Sequence, residues 1–490
     1  MKRPNNVPLV IIIAPISLMA GILLREIFCA RQYEDPPSTG EQWTSVGAQA
    51  VVDREKYQPV AVRDDDDDDE HRPPAGFPWH RWDVEAHRPE FHKNLFDAFY
   101  KNLPNPYLRF VIRKGVLYCP EGDISGVGKH KKGAFWKGRS MRTYPVQHVI
   151  GEAIELGRSP EMMANSRVAA AMRLLLGKDE TGRDHEYASV GVPLLFDRGD
   201  AIDCADQYPV FRFTRIQDAA RCGSSWTFPE YSTMIDIRQR KKKWDRVFKD
   251  HQKKYPWEKK KKKAVWRGST TGHLNLYPSW SMMPRVQVSL LSAARPDVID
   301  AGFHKISTTQ GNYNIENFTD YGLIKKGMKS EDFMKYRAVI DVDGNSWSSR
   351  LSSLLSMNSV VIKVEPAWTQ YFFDELVPWK HYIPSNFSNL VETVEYVMSD
   401  DNEEKIRKIV NNAQSWAKSK LTKEQMALDV LWILVAYVET LEASSKDGGG
   451  WQKPWEAVGN RDGNPYRSLD LVEVPCVALG AGCMAEKNKI

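Results

Sequence analysis

Residues 341–351, Asp-Val-Asp-Gly-Asn-Ser-Trp-Ser-Ser-Arg-Leu, combine side chains that suit two different kinds of ligand. Two aspartates one residue apart are typical of sites for a divalent cation. The serines and the arginine that follow them suit an anion such as a phosphate. The segment therefore poses a choice between a cation site and a phosphate site.

The spacing excludes a calcium loop of the EF-hand type. Counted from Asp341, such a loop needs glycine at position 6 and glutamate at position 12, where this chain has Ser346 and Ser352. An Asp-x-Asp metal site passes the geometric test, because alternation along a strand sends Asp341 and Asp343 to the same face. A metal site of this kind, however, would leave the glycine, serines and arginine after Asp343 without a function.

An anion accounts for more of the segment. Gly344 allows a tight turn and a close approach of the backbone. Asn345, Ser346 and Ser348 are favourable N-cap residues for the helix expected next, and the free amide groups of a helix N-terminus attract phosphate. Arg350, expected in the first turn, adds a planar fork of donors. The alternative is an ordinary capped helix whose arginine makes a surface ion pair.

The elements around this segment indicate an α/β unit over residues 263–445. Residues 336–364 predict a strand, a turn, a helix and a second strand, and residues 263–272 predict a strand that ends in a Gly/Ser/Thr turn. Residues 401–421 and 423–444 predict two long amphipathic helices that close the unit.

Another globular unit is expected over residues 79–262. Residues 108–118 alternate as a pair of strands does, residues 162–177 have a helical period, and residues 190–200 form an apolar strand that stops at a charged turn. Strands that alternate with helices predict a parallel sheet. Two such units in tandem place a ligand in the cleft between them, at the carboxyl ends of the strands.

The N-terminal residues predict a membrane anchor. A basic cytosolic tail, residues 1–6, precedes an uncharged run of 18 residues at 7–24. As a helix this run would span about 27 Å, enough for a bilayer core. Since positive residues stay in the cytosol, a signal anchor at residues 7–25 predicts a type II membrane protein with its bulk in the lumen. A cleaved signal peptide is the alternative.

Composition completes the domain description. Residues 26–78 combine prolines with an acidic run and predict a disordered stem, and residues 446–490 form a Gly/Pro-rich tail. The net charge is only +5 and no nucleic-acid recognition fold accompanies the lysine runs, so nucleic acid is not expected as a partner. The six cysteines lack metal-binding spacing.

Several motifs, which share order and spacing over about residues 190–440, resemble glycosyltransferase family 90. This family comprises the protein O-glucosyltransferase, KDEL-motif and fungal capsule-associated xylosyltransferase group. Each motif would be a weak indication by itself. The motifs are FDRGD at 196–200, SSWTFPE at 224–230, YPWEKKKKKAVWRGST at 255–270, ARPDVIDAGF at 294–303, the segment 335–364, and ELVPWKHYIPS at 375–385.

The resemblance implies a GT-B architecture, in which two Rossmann-like domains face each other across a cleft. It implies an inverting glycosyltransferase that moves glucose or xylose from UDP-glucose or UDP-xylose to a hydroxyl group of a protein or glycan acceptor, with no metal and no cofactor required. The donor is expected mainly on the second domain and the acceptor on the first. Together with the predicted anchor, this places the protein in the Golgi or ER membrane.

Carried over by position, the resemblance assigns the general base to Asp200, with Asp197 as its nearest rival. A carboxylate at a strand end can take the proton of an attacking hydroxyl group. Trp226 is assigned either to the sugar and acceptor site or to the core. The positions assigned to donor binding are Arg267, Gly268, Ser269, Asp300, Ala301, Gly344, Asn345, Ser346, Trp347, Ser348, Ser349 and Arg350.

The chain departs from the family in one place. Protein O-glucosyltransferases carry an arginine several residues beyond the Arg-Gly-Ser motif, where this chain has Thr-Thr-Gly-His-Leu-Asn, so one expected donor contact is not identified. Two other functions stay open. One is a non-catalytic carbohydrate- or UDP-binding protein on the same fold. The other is a metal-dependent GT-A transferase that uses Asp341 and Asp343.

Overall fold

The structure is a computed structural model of the chain. The predicted cytosolic tail, anchor and stem lie outside the described residues, as does Asp200. Among the described residues, no helix combines the length and the apolar character needed to cross a bilayer. The described residues are 107–120, 140–178, 181–184, 191–197, 210–216, 225–230, 233, 249–272, 280–307, 315–364, 368–447 and 471–473.

Thirteen strands lie in this part of the chain, and they form two large sheets and one short ladder. They are β1 (Tyr107–Arg113), β2 (Val116–Pro120), β3 (Val192–Asp197), β4 (Val210–Arg212), β5 (Arg215–Ile216), β6 (Ser225–Thr227), β7 (Lys261–Ser269), β8 (Ile299–Lys305), β9 (Tyr336–Asp341), β10 (Val360–Val364), β11 (Trp368–Thr369), β12 (Ile383–Ser385) and β13 (Leu471–Glu473).

Nine α-helices belong to the same described ranges, with short 3₁₀ turns between some of them. They are α1 (Ser140–Gly157), α2 (Pro160–Met163), α3 (Ser166–Leu175), α4 (Pro284–Ala294), α5 (Ile315–Asp320), α6 (Leu351–Leu355), α7 (Leu390–Met398), α8 (Glu403–Lys420) and α9 (Lys423–Asp447).

The first sheet has six strands in the order β13-β2-β1-β3-β4-β6 and is mixed. The predicted strand pair is confirmed as the hairpin β1–β2, which turns at Lys114 and Gly115, both with positive φ. The predicted parallel pairing holds for β3, β4 and β6 only. The other half of the sheet is antiparallel. A two-residue turn joins β1 to β2 as an antiparallel pair, and β1 also pairs antiparallel with β3. The strand β13, which was not predicted, adds antiparallel to β2.

The second sheet has five strands in the order β12-β10-β9-β7-β8, all parallel. The predicted series of strand, turn, helix and strand is confirmed as β9, a loop, α6 and β10. Every residue of β9 and β10 is buried, as expected for a parallel sheet covered on both faces. The predicted turn at residues 267–269 is instead the end of β7, since its pairing with β8 continues to Ser269.

The helix α9 differs from the predicted amphipathic helix. Residues 429–438 are buried without interruption, so this stretch has no polar face. The helix packs against α1 and α3, and its Tyr437 hydroxyl donates to the Pro193 carbonyl at 2.7 Å. The preceding helix α8 does have the predicted single apolar face. The C-terminal helix thus completes the core of the first sheet, although it follows the second sheet in sequence.

A short β-ladder, a hydrogen bond and a contact between aromatic rings connect the two large sheets. The strands β5 and β11 form an antiparallel ladder. The Thr214 hydroxyl donates to the Thr369 carbonyl at 2.7 Å, and the rings of Phe213 and Trp347 lie 6.4 Å apart. The loop after β9, which carries Trp347, therefore rests against the strands of the first sheet.

A buried carboxyl group lies on α9 at Asp429, which is 3% exposed. It accepts a hydrogen bond from Gln425 Nε2 at 2.8 Å. Burial, with a smaller contribution from Glu375, raises the pKa of Asp429 to about 7, against the opposing effects of Gln425 and Lys420. The folded protein therefore holds a proton on this group at mildly acidic pH.

The variant Asp429→Asn is expected to stabilise the protein at pH 8. The pKa of Asp429 in the folded state exceeds its unfolded value, so wild-type stability falls as the pH rises between about 4 and 7, whereas an amide stays neutral. The gain in free energy of unfolding should be on the order of 2 kcal/mol larger at pH 8 than at pH 5, as measured by urea unfolding. Glu424→Gln, at an exposed position of the same helix, is the control. An equal gain at both pH values would contradict the assignment.

Candidate functional site

A cleft of about 340 Å³ opens where β7, β8 and β9 end. The carboxyl ends of parallel strands meet at one edge of a sheet, and ligands of open α/β sheets bind outside that edge. The cleft is lined by Arg267, Gly268, Ser269, Thr271, Arg285, His304, Gly344, Asn345, Ser346, Trp347, Ser349 and Arg350.

Nine of the twelve positions assigned to donor binding line this cleft, from two segments that are distant in sequence. The segments meet because β7 and β9 are neighbours in the parallel sheet. Arg350 Nη1 donates to the carbonyl of Arg267, 83 residues away. The Arg-Gly-Ser motif and the segment after β9 thus form two walls of one cleft.

The other assigned positions lie elsewhere. Ser348 is buried and donates to Asp341 Oδ1. Ala301 is buried in the core, and its amide donates to Ser292 Oγ at 2.8 Å. Trp226 is 3% exposed and packs against aromatic rings under the first sheet, which corresponds to the core alternative that the sequence left open.

Arg267 lines the cleft, but its guanidinium group is engaged by the protein. Its Nη2 lies 2.8 Å from Asp300 Oδ1, and its Nη1 donates to the carbonyls of Trp266 and Asp300. Burial opposes ionisation of Asp300, but hydrogen bonds from Tyr336, Lys325 and Arg267 outweigh it and hold the pKa of Asp300 well below its usual value. In this structure Asp300 positions Arg267 and does not line the cleft.

Arg285 is a cleft residue that the sequence reasoning missed. It lies at the start of α4, where its Nε donates to the Asp343 carbonyl at 3.0 Å and its Nη1 donates to the Ser269 carbonyl at 3.2 Å. Its Nη1 also donates to Thr271 Oγ1. The resemblance implies an arginine several residues beyond the Arg-Gly-Ser motif, whereas Arg285 follows Ser269 by 16 residues. Pro284, at the first position of a helix, was the available signal for this element.

Arg285 and Arg350 bring two positive charges to one cleft. Their guanidinium carbons lie 5.7 Å and 5.9 Å from the ring centroid of Trp266. Burial, with a contribution from the charge of Arg350, lowers the pKa of Arg285 to about 9. Burial also lowers the pKa of Arg350. An anion between the two groups would offset both desolvation and mutual repulsion.

Donor atoms remain available on both arginines. Nη2 of Arg285, and Nε and Nη2 of Arg350, make no hydrogen bond to any residue that the structure describes. Trp347 Nε1 and Asn345 Oδ1 are buried and likewise have no hydrogen-bond partner within the described ranges. The unused guanidinium donors of the two arginines can therefore bind an acceptor group of a ligand.

A Cβ atom would displace neighbouring side chains at two glycine positions of the cleft. A Cβ atom on Gly344 would lie 2.6 Å from Arg285 Nη2, and one on Gly268 would lie 2.4 Å from Trp266 Cζ2. Both glycines therefore permit the close packing that aligns the arginines over the tryptophan ring.

The helix α6 contributes less than expected from the sequence. It is five residues long and begins at Leu351, so Arg350 precedes its first turn. Among the described residues, no side chain caps its N-terminus. The positive character of the cleft therefore comes from arginine side chains and a loop, because a helix this short has little dipole.

The two aspartates of the opening segment face a lysine. Lys363 Nζ, from β10, lies 2.8 Å from Asp341 Oδ2 and 2.7 Å from Asp343 Oδ1. Burial opposes the charge of Lys363, but the two carboxylates outweigh it and raise its pKa. Neither aspartate lines the cleft. The described part of the chain contains no group of three or more His, Cys, Asp or Glu side chains arranged to hold a metal ion.

The charges of the cleft can be tested through His304, which lies at its rim. Burial, together with the charges of Arg350 and Arg267, lowers the pKa of this imidazole. The variant Arg350→Gln is expected to raise the pKa of His304, as measured by NMR titration of selectively labelled histidine. Arg295→Gln, which removes a surface arginine, should leave it unchanged. No change in Arg350→Gln would show that the two side chains do not share one cleft.

The part of the chain that forms this cleft matches a known protein family. The profile of glycosyl transferase family 90 matches residues 193–451, just over half of the chain. Protein O-glucosyltransferase 2 of Danio rerio is 32% identical over 167 residues, which cover 34% of this chain and 30% of that protein. Protein O-glucosyltransferase 1 of Mus musculus is 29% identical over 210 residues, covering 39% and 48%.

O-glucosyltransferase rumi of Drosophila melanogaster is 26% identical over 196 residues, which cover 39% of this chain and 44% of that protein. The chain thus spans less than half the length of each of these relatives. The family profile, by contrast, includes β3 to α9 and therefore every residue that lines the cleft. The chain belongs to glycosyl transferase family 90.

Proposed function

We propose that the protein transfers a sugar from a UDP-sugar to a hydroxyl group of a protein or glycan acceptor. The observation that carries this proposal is the pair Arg285 and Arg350, which bring unused guanidinium donors to one cleft within the family-matched residues. A nucleoside diphosphate supplies the negative charges and acceptor oxygens that such a pair binds. The names of the relatives favour glucose as the sugar and a protein as the acceptor. Xylose is the alternative donor sugar that the resemblance to the family implies.

The arginine pair would act on the leaving group. As the bond between the anomeric carbon and the diphosphate oxygen breaks, negative charge grows on the diphosphate. Preorganised cations stabilise that charge more strongly in a partly buried cleft than in water.

The general base is proposed to be Asp200, which follows the end of β3 by three residues. The acceptor oxygen attacks the anomeric carbon and forms the new C–O bond, while UDP departs with the electrons of the broken bond. The carboxylate of Asp200 takes the proton of the acceptor hydroxyl group. A single displacement of this kind inverts the anomeric carbon. Asp197, the alternative base, is buried in an ion pair with Arg212, which favours Asp200.

The remaining features of the proposal are a GT-B arrangement, metal independence and a lumenal location. Two sheets, each with parallel strands and in contact through β5 and β11, support a GT-B arrangement. Metal independence is supported by cationic side chains where a metal would neutralise the diphosphate, and by the engagement of Asp341 and Asp343 with Lys363. A type II anchor in the Golgi or ER membrane follows from the N-terminal sequence.

The diphosphate assignment predicts that Arg285→Ala and Arg350→Ala each weaken UDP binding. A hydrogen bond to a charged group contributes about 1.5–3 kcal/mol, so the dissociation constant should rise about tenfold or more in calorimetric titration. Arg295→Ala removes a surface arginine of the same helix region, paired with Asp297 and Glu395, and serves as the matched control. Wild-type affinity in both cleft variants would refute the assignment.

The base assignment predicts that Asp200→Asn lowers kcat by about 10²-fold or more while UDP affinity stays unchanged. Turnover is measured as UDP release with a panel of UDP-sugars and acceptors, with and without EDTA. Full turnover of the variant would exclude Asp200 as the base. Loss of wild-type turnover in EDTA would exclude metal independence, and UDP binding without turnover on any pair would favour a non-catalytic binding protein.

A further inference from the structure

Lys363 lies beneath the cleft, among groups that the proposed chemistry does not use. It stands opposite Asp341 in the parallel register of β9 and β10. Its ammonium group contacts Asp341 at 2.8 Å and Asp343 at 2.7 Å. The Lys363 side chain is 2% exposed, and those of Asp341 and Asp343 are 0% and 8% exposed. The three charged groups therefore contact one another almost without water.

Both aspartates are also connected to the walls of the cleft. Asp341 Oδ1 accepts the hydroxyl hydrogen of Ser348, two residues before Arg350. The backbone carbonyl of Asp343 accepts a hydrogen bond from Arg285 Nε at 3.0 Å. The ammonium group is thus two contacts away from Arg285 and two contacts away from Ser348, which precedes Arg350 by two residues.

Without the ammonium group, two adjacent buried carboxylates would lose the positive charge that contacts both of them, while Arg285 and Arg350 would still act on them from the cleft. Buried like charges cannot both stay ionised at low cost, so one carboxylate would bind a proton or turn towards water. Either change would move the Ser348 hydroxyl group or the Asp343 carbonyl, and with them Arg350 and Arg285.

We infer that Lys363 is a built-in counter-cation, a positioning residue that keeps Asp341 and Asp343 ionised and in place and thereby holds Arg285 and Arg350 ready for the diphosphate. The ammonium group occupies the position that a divalent ion would take between the two carboxylates. The part that concerns diphosphate rests on the proposed function. The role of Lys363 between the two carboxylates is independent of the proposed function.

A specific consequence follows for a chain that lacks this side chain. In Lys363→Ala, Asp341 Oδ2 and Asp343 Oδ1 would face an opening with the Ser348 hydroxyl group close by. Carboxylate and hydroxyl oxygens are ligands that Mg²⁺ and Mn²⁺ accept. The substitution should therefore convert a metal-independent cleft into one whose shape depends on a divalent cation.

The test compares wild type and Lys363→Ala as full chains, in EDTA and with Mn²⁺ or Mg²⁺. In EDTA, the UDP affinity of the variant should be about tenfold or more below that of wild type, and adding the cation should restore most of it. The UDP affinity of wild type should be the same in EDTA and with the cation. Melting temperatures are measured on the same samples without UDP. They should rise with the cation in the variant only, which keeps the inference testable even if the variant folds poorly in EDTA.

Lys260→Ala is the matched control. Lys260, which directly precedes β7, is also a buried lysine, 5% exposed. It donates to the Met334 carbonyl, Asn358 Oδ1 and Ser359 Oγ, and to no carboxylate among the described residues. Its removal is expected to lower stability without creating a response to the cation. A control that lowers stability in this way separates a general packing defect from the loss of a counter-cation.

Two results would overturn the inference. One is wild-type UDP affinity of Lys363→Ala in EDTA. The other is a variant whose melting temperature and UDP affinity are lowered but respond to the cation no more than those of Lys260→Ala. If wild type itself fails to bind UDP, the proposed function is wrong, whereas the melting comparison still decides the role of Lys363.

Discussion

The balance of buried charge at the carboxyl edge of the second sheet is the constraint on which the site depends. Lys363 forms ion pairs with Asp341 and Asp343, and Asp300 forms an ion pair with Arg267. Since a charge taken out of water must be compensated, these groups are held within the protein. Burial lowers the pKa of Arg285 and of Arg350, so an anion in the cleft would offset the cost of burying their charges.

The first sheet contributes support from the opposite side. Trp347, in the cleft wall, packs against Phe213, and the Ser352 hydroxyl group lies 3.3 Å from that of Thr233. The ladder of β5 and β11 adds backbone pairing between the same parts of the chain. The cleft wall that carries Trp347 is therefore supported both by the second sheet and by the segment that follows β4.

Much of the fold follows from patterns that are local in the sequence. The apolar runs at residues 336–341 and 360–364 and the polar loop between them predict a buried parallel pair, which is observed. Patterns failed where distant segments decide the environment. The helix α9 is buried all round over residues 429–438 because α1, α3 and the first sheet surround it, and β13 exists because β2 offers it an edge.

The sequence by itself determined which residues come together at the cleft, since strand ends of a parallel sheet must meet at one edge, and most of the assigned positions are found there. It did not determine what each charge does. Arg267 and Arg285 are the same residue type, yet one is held by Asp300 and the other keeps a donor for a ligand. The two aspartates looked like ligands for a cation, and the cation is a lysine from the next strand. Only the tertiary structure decides such pairings, because the energy of a charge depends on its neighbours in space and on its distance from water.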